Sequence, residues 1–210
     1  MGILKKIFGF SSAVGQRVWP VVNRIKLKAQ NVAFGRNCVI MGSVYISNRA
    51  LCGGGATIGD DFMMTSGGGV NPLCRNLRGY LYTEPGAKLS IGNRVGMSST
   101  AIWCSQSITI GNDVSVGANC IIIDTDSHPI DWRLRSLHPK TPEETKRVAE
   151  AIKSAPIVIE DNVWIGANCL VLKGVTIGAR SVIGAGSVVT KSIPADCIAA
   201  GNPARVIKRL

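Results

Sequence analysis

Residues 159–189 read IEDNVWIGANCLVLKGVTIGARSVIGAGSVV, and an aliphatic residue opens each successive group of six. A period of six matches neither the 3.6-residue period of a helix nor the plain alternation of a long strand. It predicts short strands separated by turns, with one aliphatic side chain directed inward at each pass. A run of equivalent corners is typical of a solenoid. The residues that open these hexads are Ile159, Ile165, Val171, Ile177, Ile183 and Val189.

The same period recurs in two upstream stretches, so the repeat extends through most of the chain. The second stretch contains a one-residue slip between Trp103 and Ile110, which a β-bulge would produce. The upstream hexads are opened by Phe34, Ile40, Ile46, Cys52, Ile58 and Met64, and then by Ile91, Met97, Trp103, Ile110, Val116 and Ile122.

With these repeats the sequence resembles the hexapeptide-repeat acyltransferases, and among them the galactoside and maltose O-acetyltransferases. The resemblance covers about residues 32–69 and 86–210. It implies an all-β solenoid, a left-handed parallel β-helix with three flat faces and three hexads per turn. The left hand comes from the resemblance alone, because the usual rule for parallel crossovers predicts a right-handed winding. Members of this family are homotrimers with active sites between adjacent helices.

The length of 210 residues predicts a single domain, with three parts. Residues 1–31 form a basic, partly helical N-terminal arm or cap, residues 32–194 the β-helix, and residues 195–210 a basic C-terminal tail. In the arm, Gly9, Gly15 and Pro20 are expected to interrupt the helix. A cap over the exposed strand edges at the end of the solenoid is the favoured role. Contact with an anionic membrane surface is the alternative, and the two roles are compatible.

Two segments break the hexads. Residues 70–84 contain an Asn-Pro pair and a glycine, which predict a loop or short hairpin. Residues 129–156 form a longer excursion that includes a helix with Thr141 as N-cap, a proline in its first turn and Glu144 reaching back to the cap. A long excursion within a regular repeat is more often a functional lid than decoration.

The formal net charge is +11, and no acidic residue precedes Asp60. This imbalance predicts acidic partners, either a phosphorylated ligand or an anionic membrane surface. Nucleic acid is not favoured, because the aromatic residues do not alternate with the basic ones in a stacking pattern.

The seven cysteines include no CxxC pair, and three of them, Cys38, Cys120 and Cys169, occupy small positions within hexads. We expect them to be reduced thiols that pack as small hydrophobic side chains in a reducing compartment. No signal peptide or membrane-spanning run is visible, which predicts a cytoplasmic protein, with a peripheral location on the inner membrane face as a further option. Two histidines are too few for the three-histidine zinc site of a γ-class carbonic anhydrase, so no metal is expected.

His128 stands in the segment DTDSHPI, where a coil stops and the long excursion begins. A His-Pro at this junction carries the catalytic base of galactoside and maltose O-acetyltransferases, and neutral imidazole suits removal of a hydroxyl proton near neutral pH. Asp126, Asp131 or a backbone carbonyl could orient the ring. His138 is expected to be a lid or surface residue.

The resemblance also implies a binding site for acetyl-CoA along the C-terminal coils. Small residues allow the thin pantetheine arm to lie flat, and cationic side chains pair with the phosphates of the cofactor. Backbone groups of Ala167 and Ala185 are expected to contact the arm. The residues expected at the nucleotide and its phosphates are Thr190, Lys191, Arg205 and Lys208.

The acceptor side is assigned to Ser98, Trp103 and Asp126. Ser98 stands where galactoside-type relatives carry an asparagine, and Trp103 is too bulky for a narrow core, so it should face the acceptor cleft or a neighbouring subunit. The predicted function is acetyl-CoA-dependent O-acetylation of a hydroxyl on a sugar, or on a polysaccharide or glycolipid precursor. No cysteine has an obvious nucleophile setting, which favours direct transfer. N-acylation of an amino-sugar or other small amine and a non-catalytic structural β-helix are the alternatives.

Overall fold

The computed structural model describes residues 17–50, 55–67 and 69–210. Its strands form three sheets, and through the first eighteen strands the parallel neighbours within each sheet are three strands apart in the chain. A chain that returns to the same sheet after every third strand is wound into a coil with three faces. The predicted three hexads per turn are therefore confirmed, and the arrangement fits a parallel β-helix. The left-handed winding stays a prediction.

We name the three sheets face A, face B and face C in the order in which the chain visits them. Face A contains β1 (Ala33–Phe34), β4 (Gly55–Ile58), β7 (Lys88–Ile91), β10 (Ser107–Ile110), β13 (Ile157–Ile159) and β16 (Thr176–Ile177). Face B contains β2 (Val39–Met41), β5 (Met63–Thr65), β8 (Gly96–Ser98), β11 (Ser115–Ala118), β14 (Trp164–Ile165), β17 (Val182–Ile183), β19 (Cys197–Gly201) and β20 (Ala204–Arg209). Face C contains β3 (Val44–Asn48), β6 (Gly79–Thr83), β9 (Ala101–Cys104), β12 (Ile121–Ile123), β15 (Leu170–Leu172) and β18 (Val188–Val189).

The core is a column of aliphatic side chains inside the coil. Every hexad opener from Ile159 to Val189 is fully buried, with 0% of its surface exposed. The openers also stack in register, since Ile165 pairs with Ile183 and Val171 with Val189 on the next coil. Burying one such side chain contributes about 1.5–3 kcal/mol, so the repeat itself supplies the main stabilising term.

The hexad assigned to Trp103 is wrong. Ile122 pairs with Ile102, whose side chain is buried, whereas Trp103 points outward and is 41% exposed. The narrow interior accepts isoleucine and excludes the indole. The bulge is also displaced from its predicted place, because the register shifts at Val116 and Ala118 and not between Trp103 and Ile110. Cys52, another predicted opener, lies outside the described residues.

A helix, α1, covers the N-terminal end of the coil and is described from residue 17 to residue 29. Asn23 is fully buried on its inner side and donates hydrogen bonds of 3.0 and 2.8 Å to the carbonyls of Ile40 and Gly42. These bonds satisfy acceptors that the first coil would otherwise leave open. The expected break at Pro20 is wrong, because helical backbone continues through it; Gly9 and Gly15 lie outside the described residues.

Two predicted boundaries need correction. The loop expected over 70–84 contains a short 3-10 helix, Pro72–Cys74, but Gly79–Thr83 is a regular strand of face C. The segment 195–210 is not a free tail. Its first strand pairs in parallel with Val182–Ile183, and its second folds back antiparallel along the edge of face B. Backbone hydrogen bonds therefore hold this basic segment against the β-helix.

The long excursion contains α2 (Trp132–Arg135) and α3 (Pro142–Ala151), neither of which buries a residue. The predicted start of α3 is confirmed, since Thr141 and Glu144 form a reciprocal capping box. The helix ends at Ala151, ahead of Pro156. Within the described ranges, no helix combines the length and apolar character needed to cross a bilayer.

Candidate functional site

His128 lies on the corner between face C and face A. β12 ends at Ile123, and the imidazole follows after a short turn in which Ser127 adopts a positive φ of 62°. The side chain is exposed, whereas Pro129 beside it is buried. The histidine is thus presented to solvent from a fixed backbone position at the base of the excursion.

Asp124 anchors the start of this turn. Its carboxylate is fully buried and accepts backbone hydrogen bonds from Ser105, Gln106 and Ser107 at 2.6, 2.8 and 2.8 Å. Three N–H donors compensate the cost of burying the charge, which would otherwise be several kcal/mol. The same carboxylate therefore joins the turn after β9 to the segment that carries His128.

The two ends of the excursion are tied together at its base. The N–H of Asp126 donates to the carbonyl of Lys153 at 2.9 Å, and the N–H of Ala155 donates to the carbonyl of Asp124 at 3.0 Å. The guanidinium of Arg135 on α2 donates to two carbonyls beyond His128, at 3.1 Å each. The excursion therefore closes on the histidine turn and does not extend away from it.

Asp126 is held by an ion pair with Lys173 from the next coil, at 2.6 Å, with side-chain exposures of 22% and 30%. Its second carboxylate oxygen is buried and has no hydrogen-bond partner among the described residues. Asp131 caps α2 by accepting from the N–H of Arg133. Neither carboxylate therefore hydrogen-bonds His128, and in the part of the chain that the structure describes its imidazole has no orienting partner.

Small residues line the opposite corner of face C, between face B and face C. Ala167 and Ala185 are neighbours on successive coils, joined by the N–H of Gly186 donating to the carbonyl of Ala167 at 2.8 Å. A Cβ atom on Gly166 would lie only 2.6 Å from the backbone nitrogen of Ala185. Glycine is therefore required for the coils to stack this closely, and the corner is a flat strip with accessible backbone.

Ser98 belongs to this second corner, at the end of β8. Its hydroxyl lies 3.0 Å from the hydroxyl of Thr65 and 3.2 Å from the amide nitrogen of Asn71. Asn71 comes from the loop that precedes β6. A carboxamide is thus present beside Ser98 although the asparagine typical of galactoside-type relatives is missing from the strand.

The cationic residues expected at the cofactor are divided between two places. Thr190 and Lys191 follow β18 on the corner that carries His128, and both are exposed. Arg205 and Lys208 lie on β20 at the edge of face B. Arg205 pairs with Ala200, whose own strand runs beside Val182–Ile183, so Arg205 lies close to the strip of small residues.

Within one chain, His128 and the small residues therefore occupy opposite edges of face C. The face between them is apolar and carries Tyr45, Tyr80, Trp103 and Ile121, which are 41–49% exposed. Tyr45 and Tyr80 stack with ring centres 5.3 Å apart, and the indole nitrogen of Trp103 donates to Glu84 at 2.8 Å. A groove of about 420 Å³ runs across it.

The described cysteines are all buried, as predicted for Cys38, Cys120 and Cys169. Burial raises the pKa of Cys38 to about 11 and that of Cys104 to about 12. The neighbouring Cys120 thiol lowers the pKa of Cys169, yet Cys169 is only 2% exposed. None of these thiols can reach a substrate at either corner.

Three residues of the two corners were not identified from the sequence. Asp124 was detectable, because it continues the alternation of inward positions after Ile122. Lys173 was not, because it meets Asp126 only through the stacking of successive coils. Asn71 was hidden in a loop whose path the repeat does not define.

A family model for "Bacterial transferase hexapeptide (six repeats)" matches residues 156–191. The chain is 44% identical over 137 residues to the galactoside O-acetyltransferase of Lactococcus lactis, an alignment that covers 61% of this chain and 60% of that protein. It is also 38% identical over 131 residues to the galactoside O-acetyltransferase of Escherichia coli, covering 62% of this chain and 58% of that protein. Over these residues the chain is similar to the hexapeptide-repeat transferases.

The hexapeptide-repeat fold is also seen in a solved structure of a galactoside acetyltransferase in complex with coenzyme A. The sequence of that protein is 27% identical to this chain, and the match covers 95% of this chain and 79% of that one. The two structures superpose with a TM-score of 0.53. The chain spans between 44% and 60% of the length of the first curated relatives that it matches.

Proposed function

We propose that this hexapeptide-repeat protein is an acetyl-CoA-dependent O-acetyltransferase that acetylates a hydroxyl of a sugar, or of a polysaccharide or glycolipid precursor. The observation that carries the proposal is the placement of two sets of residues along the two edges of one apolar face. An exposed imidazole lies on one edge, and a strip of small residues with a nearby arginine lies on the other.

The proposal requires a homotrimer. If three left-handed coils pack around a three-fold axis with face C turned inward, the His128 edge of each chain meets the small-residue edge of the next. The exposed aromatic and aliphatic side chains of face C supply the apolar contact that a stable interface needs. Trp103 then faces a neighbouring subunit. A monomer would leave the imidazole and the cofactor strip on separate edges.

Acetyl-CoA would lie along the strip that contains Ala167 and Ala185, with its phosphates near Arg205 and Lys208 of the same chain. Thr190 and Lys191 of the adjacent chain would approach from the other edge. The residues present suit this ligand, because exposed backbone can bond an amide-containing arm and guanidinium groups pair with phosphate in a fixed geometry. The galactoside acetyltransferase solved with coenzyme A supports this assignment.

His128 acts as the general base. Its neutral imidazole accepts the proton of the acceptor hydroxyl while the oxygen forms a bond to the acetyl carbonyl carbon, and the carbon–sulfur bond then breaks. The proton passes to the released thiolate, so protons balance over the reaction. A hydrogen bond from the adjacent subunit or from the acceptor would orient the ring, since no described residue of its own chain does so. Because the described cysteines are buried, the proposed transfer is direct and forms no thiol-linked acyl intermediate on them.

The test is thiol release from acetyl-CoA in the presence of matched acceptors, such as a sugar and its amino-sugar counterpart. O-acetylation predicts turnover with the hydroxyl acceptor and a loss of about 100-fold or more in kcat for His128→Gln, with the affinity for acetyl-CoA retained. Turnover of the amino-sugar alone would favour N-acylation. No turnover combined with no binding of acetyl-CoA would favour a non-catalytic β-helix.

We also propose a peripheral membrane contact through the cap helix α1. Val18, Val21 and Ile25 are 48%, 60% and 61% exposed, and their spacing places them on one side of the helix. Basic residues flank this stripe, as expected for contact with anionic headgroups. Cosedimentation with vesicles containing phosphatidylserine should fall for Ile25→Glu, and binding equal to that of the unaltered chain would contradict the contact.

A further inference from the structure

A second groove lies close to Ser98, under the loop of residues 69–78. It has a volume of about 350 Å³, and its lining includes Arg78, Ser99 and Asn119. Ser99 follows Ser98 directly in the chain, so the groove lies next to a residue that the sequence analysis assigns to the acceptor side.

The loop over this groove is fixed to the β-helix. Ser99 is the main attachment, because its hydroxyl donates to the carbonyl of Leu77 at 2.8 Å and accepts from the N–H of Gly67 at 3.0 Å. The amide of Asn119 donates to the carbonyl of Leu73 at 2.8 Å. Arg78 immediately precedes strand β6, so its backbone is held on both sides.

The groove carries uncompensated positive charge. Arg78 is exposed and forms no ion pair within the described ranges. It also lines an adjoining groove of about 340 Å³ that includes Lys26, whose ammonium donates to the carbonyl of Val44 at 3.1 Å and has no acidic partner there. The side-chain nitrogen of Asn119 is used by the carbonyl of Leu73, and its oxygen is enclosed without a hydrogen-bond partner within the described ranges, so Arg78 is the polar group that this groove offers to a ligand.

We propose that this groove binds an anionic group of the acceptor, a carboxylate or a phosphate carried by the sugar that is acetylated or by the unit next to it. The proposal rests on the proposed acetyltransferase function and narrows its substrate class. Arg78 would hold the anion through its guanidinium. Lys26 would add a second positive charge on the side of the groove that faces the cap helix α1. A longer anionic acceptor would therefore extend toward that helix.

Direct binding tests this proposal without any requirement for turnover. Saturation-transfer NMR and equilibrium dialysis would compare glucose with glucuronic acid and with glucose 1-phosphate, using the full chain. We expect glucuronic acid, glucose 1-phosphate or both to bind at least about tenfold more tightly than glucose. Arg78→Gln should remove that preference. Lys88→Gln is the matched control, because it deletes an exposed charge on face A, away from the groove.

Kinetics with acetyl-CoA provides the second readout. Arg78→Gln should raise the KM of the preferred anionic acceptor about tenfold or more, with the KM of acetyl-CoA and the turnover of a neutral acceptor unchanged. Equal binding of glucose and both anionic sugars to the unaltered chain would overturn the proposal, as would an anion preference that survives Arg78→Gln. These results differ from failure of the proposed function, in which acetyl-CoA itself neither binds nor releases thiol.

Discussion

Replacing Asp124 with asparagine tests how the turn that carries His128 is held. The carboxylate is fully buried, and its two oxygens accept three backbone N–H groups, from Ser105, Gln106 and Ser107. Asparagine keeps the shape of the side chain but replaces one acceptor oxygen with a donor. At least one buried N–H then faces an NH₂ group and loses its partner.

The size of the effect follows from these contacts. A buried donor left without a partner costs about 1–3 kcal/mol, and the remaining bonds lose the strengthening that a charged acceptor gives. We therefore expect Asp124→Asn to reduce the free energy of unfolding by about 3 kcal/mol. For a chain of this size, that corresponds to a fall in Tm of roughly 6–12 °C.

Thermal unfolding followed by circular dichroism, at one fixed protein concentration, would measure this change. Hydrogen exchange at residues 105–107 should accelerate at the same time. Asp113→Asn is the control and should lower the Tm far less, because that carboxylate is exposed and its side chain bonds only to the side chain of Arg94 within the described ranges. If Asp124→Asn unfolded within about 1 °C of the unaltered protein, the anchoring role of this carboxylate would be refuted.

Three further predictions concern other contacts. Ala185→Trp should raise the Kd for acetyl-CoA at least about tenfold in calorimetry, because the indole would fill the flat strip of small residues. An unchanged Kd would contradict the assignment of the acetyl-CoA site to this strip. Lys173→Met should lower kcat about tenfold, because the ion pair that holds Asp126 beside the turn carrying His128 is lost, whereas Lys173→Arg should restore kcat; an equal loss in the two variants would contradict a positioning role for this ion pair. Hydrogen bonds from Arg94 hold the pKa of Asp113 below its ordinary value of 3.8. The ion pair therefore stabilises the fold above pH 3.8, and this stabilisation is lost as the pH falls through the lower pKa of the folded state. The difference in Tm between the unaltered chain and Arg94→Gln should therefore be present at pH 6 and vanish in strong acid, and a difference independent of pH would contradict it.

The repeat was readable from the sequence because burial imposes one aliphatic residue at a fixed interval. Ile165 and Val171 are predictable for this reason alone. The hexad count falls on Trp103, although the bulk of its side chain predicts an outward position, because Trp103 and Ile102 are both apolar and Ile102 follows Met97 by five residues instead of six. A count of hexads cannot tell which of two adjacent apolar residues turns inward. The packing decides it, since the interior holds isoleucine and not indole.

The residues of the candidate site could be predicted from the sequence only where they follow the repeat. His128 was visible because it stands at the end of a regular coil, and Ala185 because it occupies a defined corner. The pairing of Lys173 with Asp126 depends on how coils stack after an excursion of undefined path. In the proposed trimer the two edges of face C meet through a neighbouring chain, and no pattern within one sequence specifies that arrangement.

The central claim is that His128 of one chain acts on a thioester held by the next, and mixed trimers test it most directly. His128→Ala and Ala185→Trp should each be inactive alone, since one removes the base and the other blocks the cofactor strip. When equal amounts are unfolded and refolded together, random assembly places an intact His128 edge against an intact strip at about a quarter of the interfaces. Recovery of about a quarter of the unaltered activity is the predicted result. A mixture that remains as inactive as its components would contradict the account.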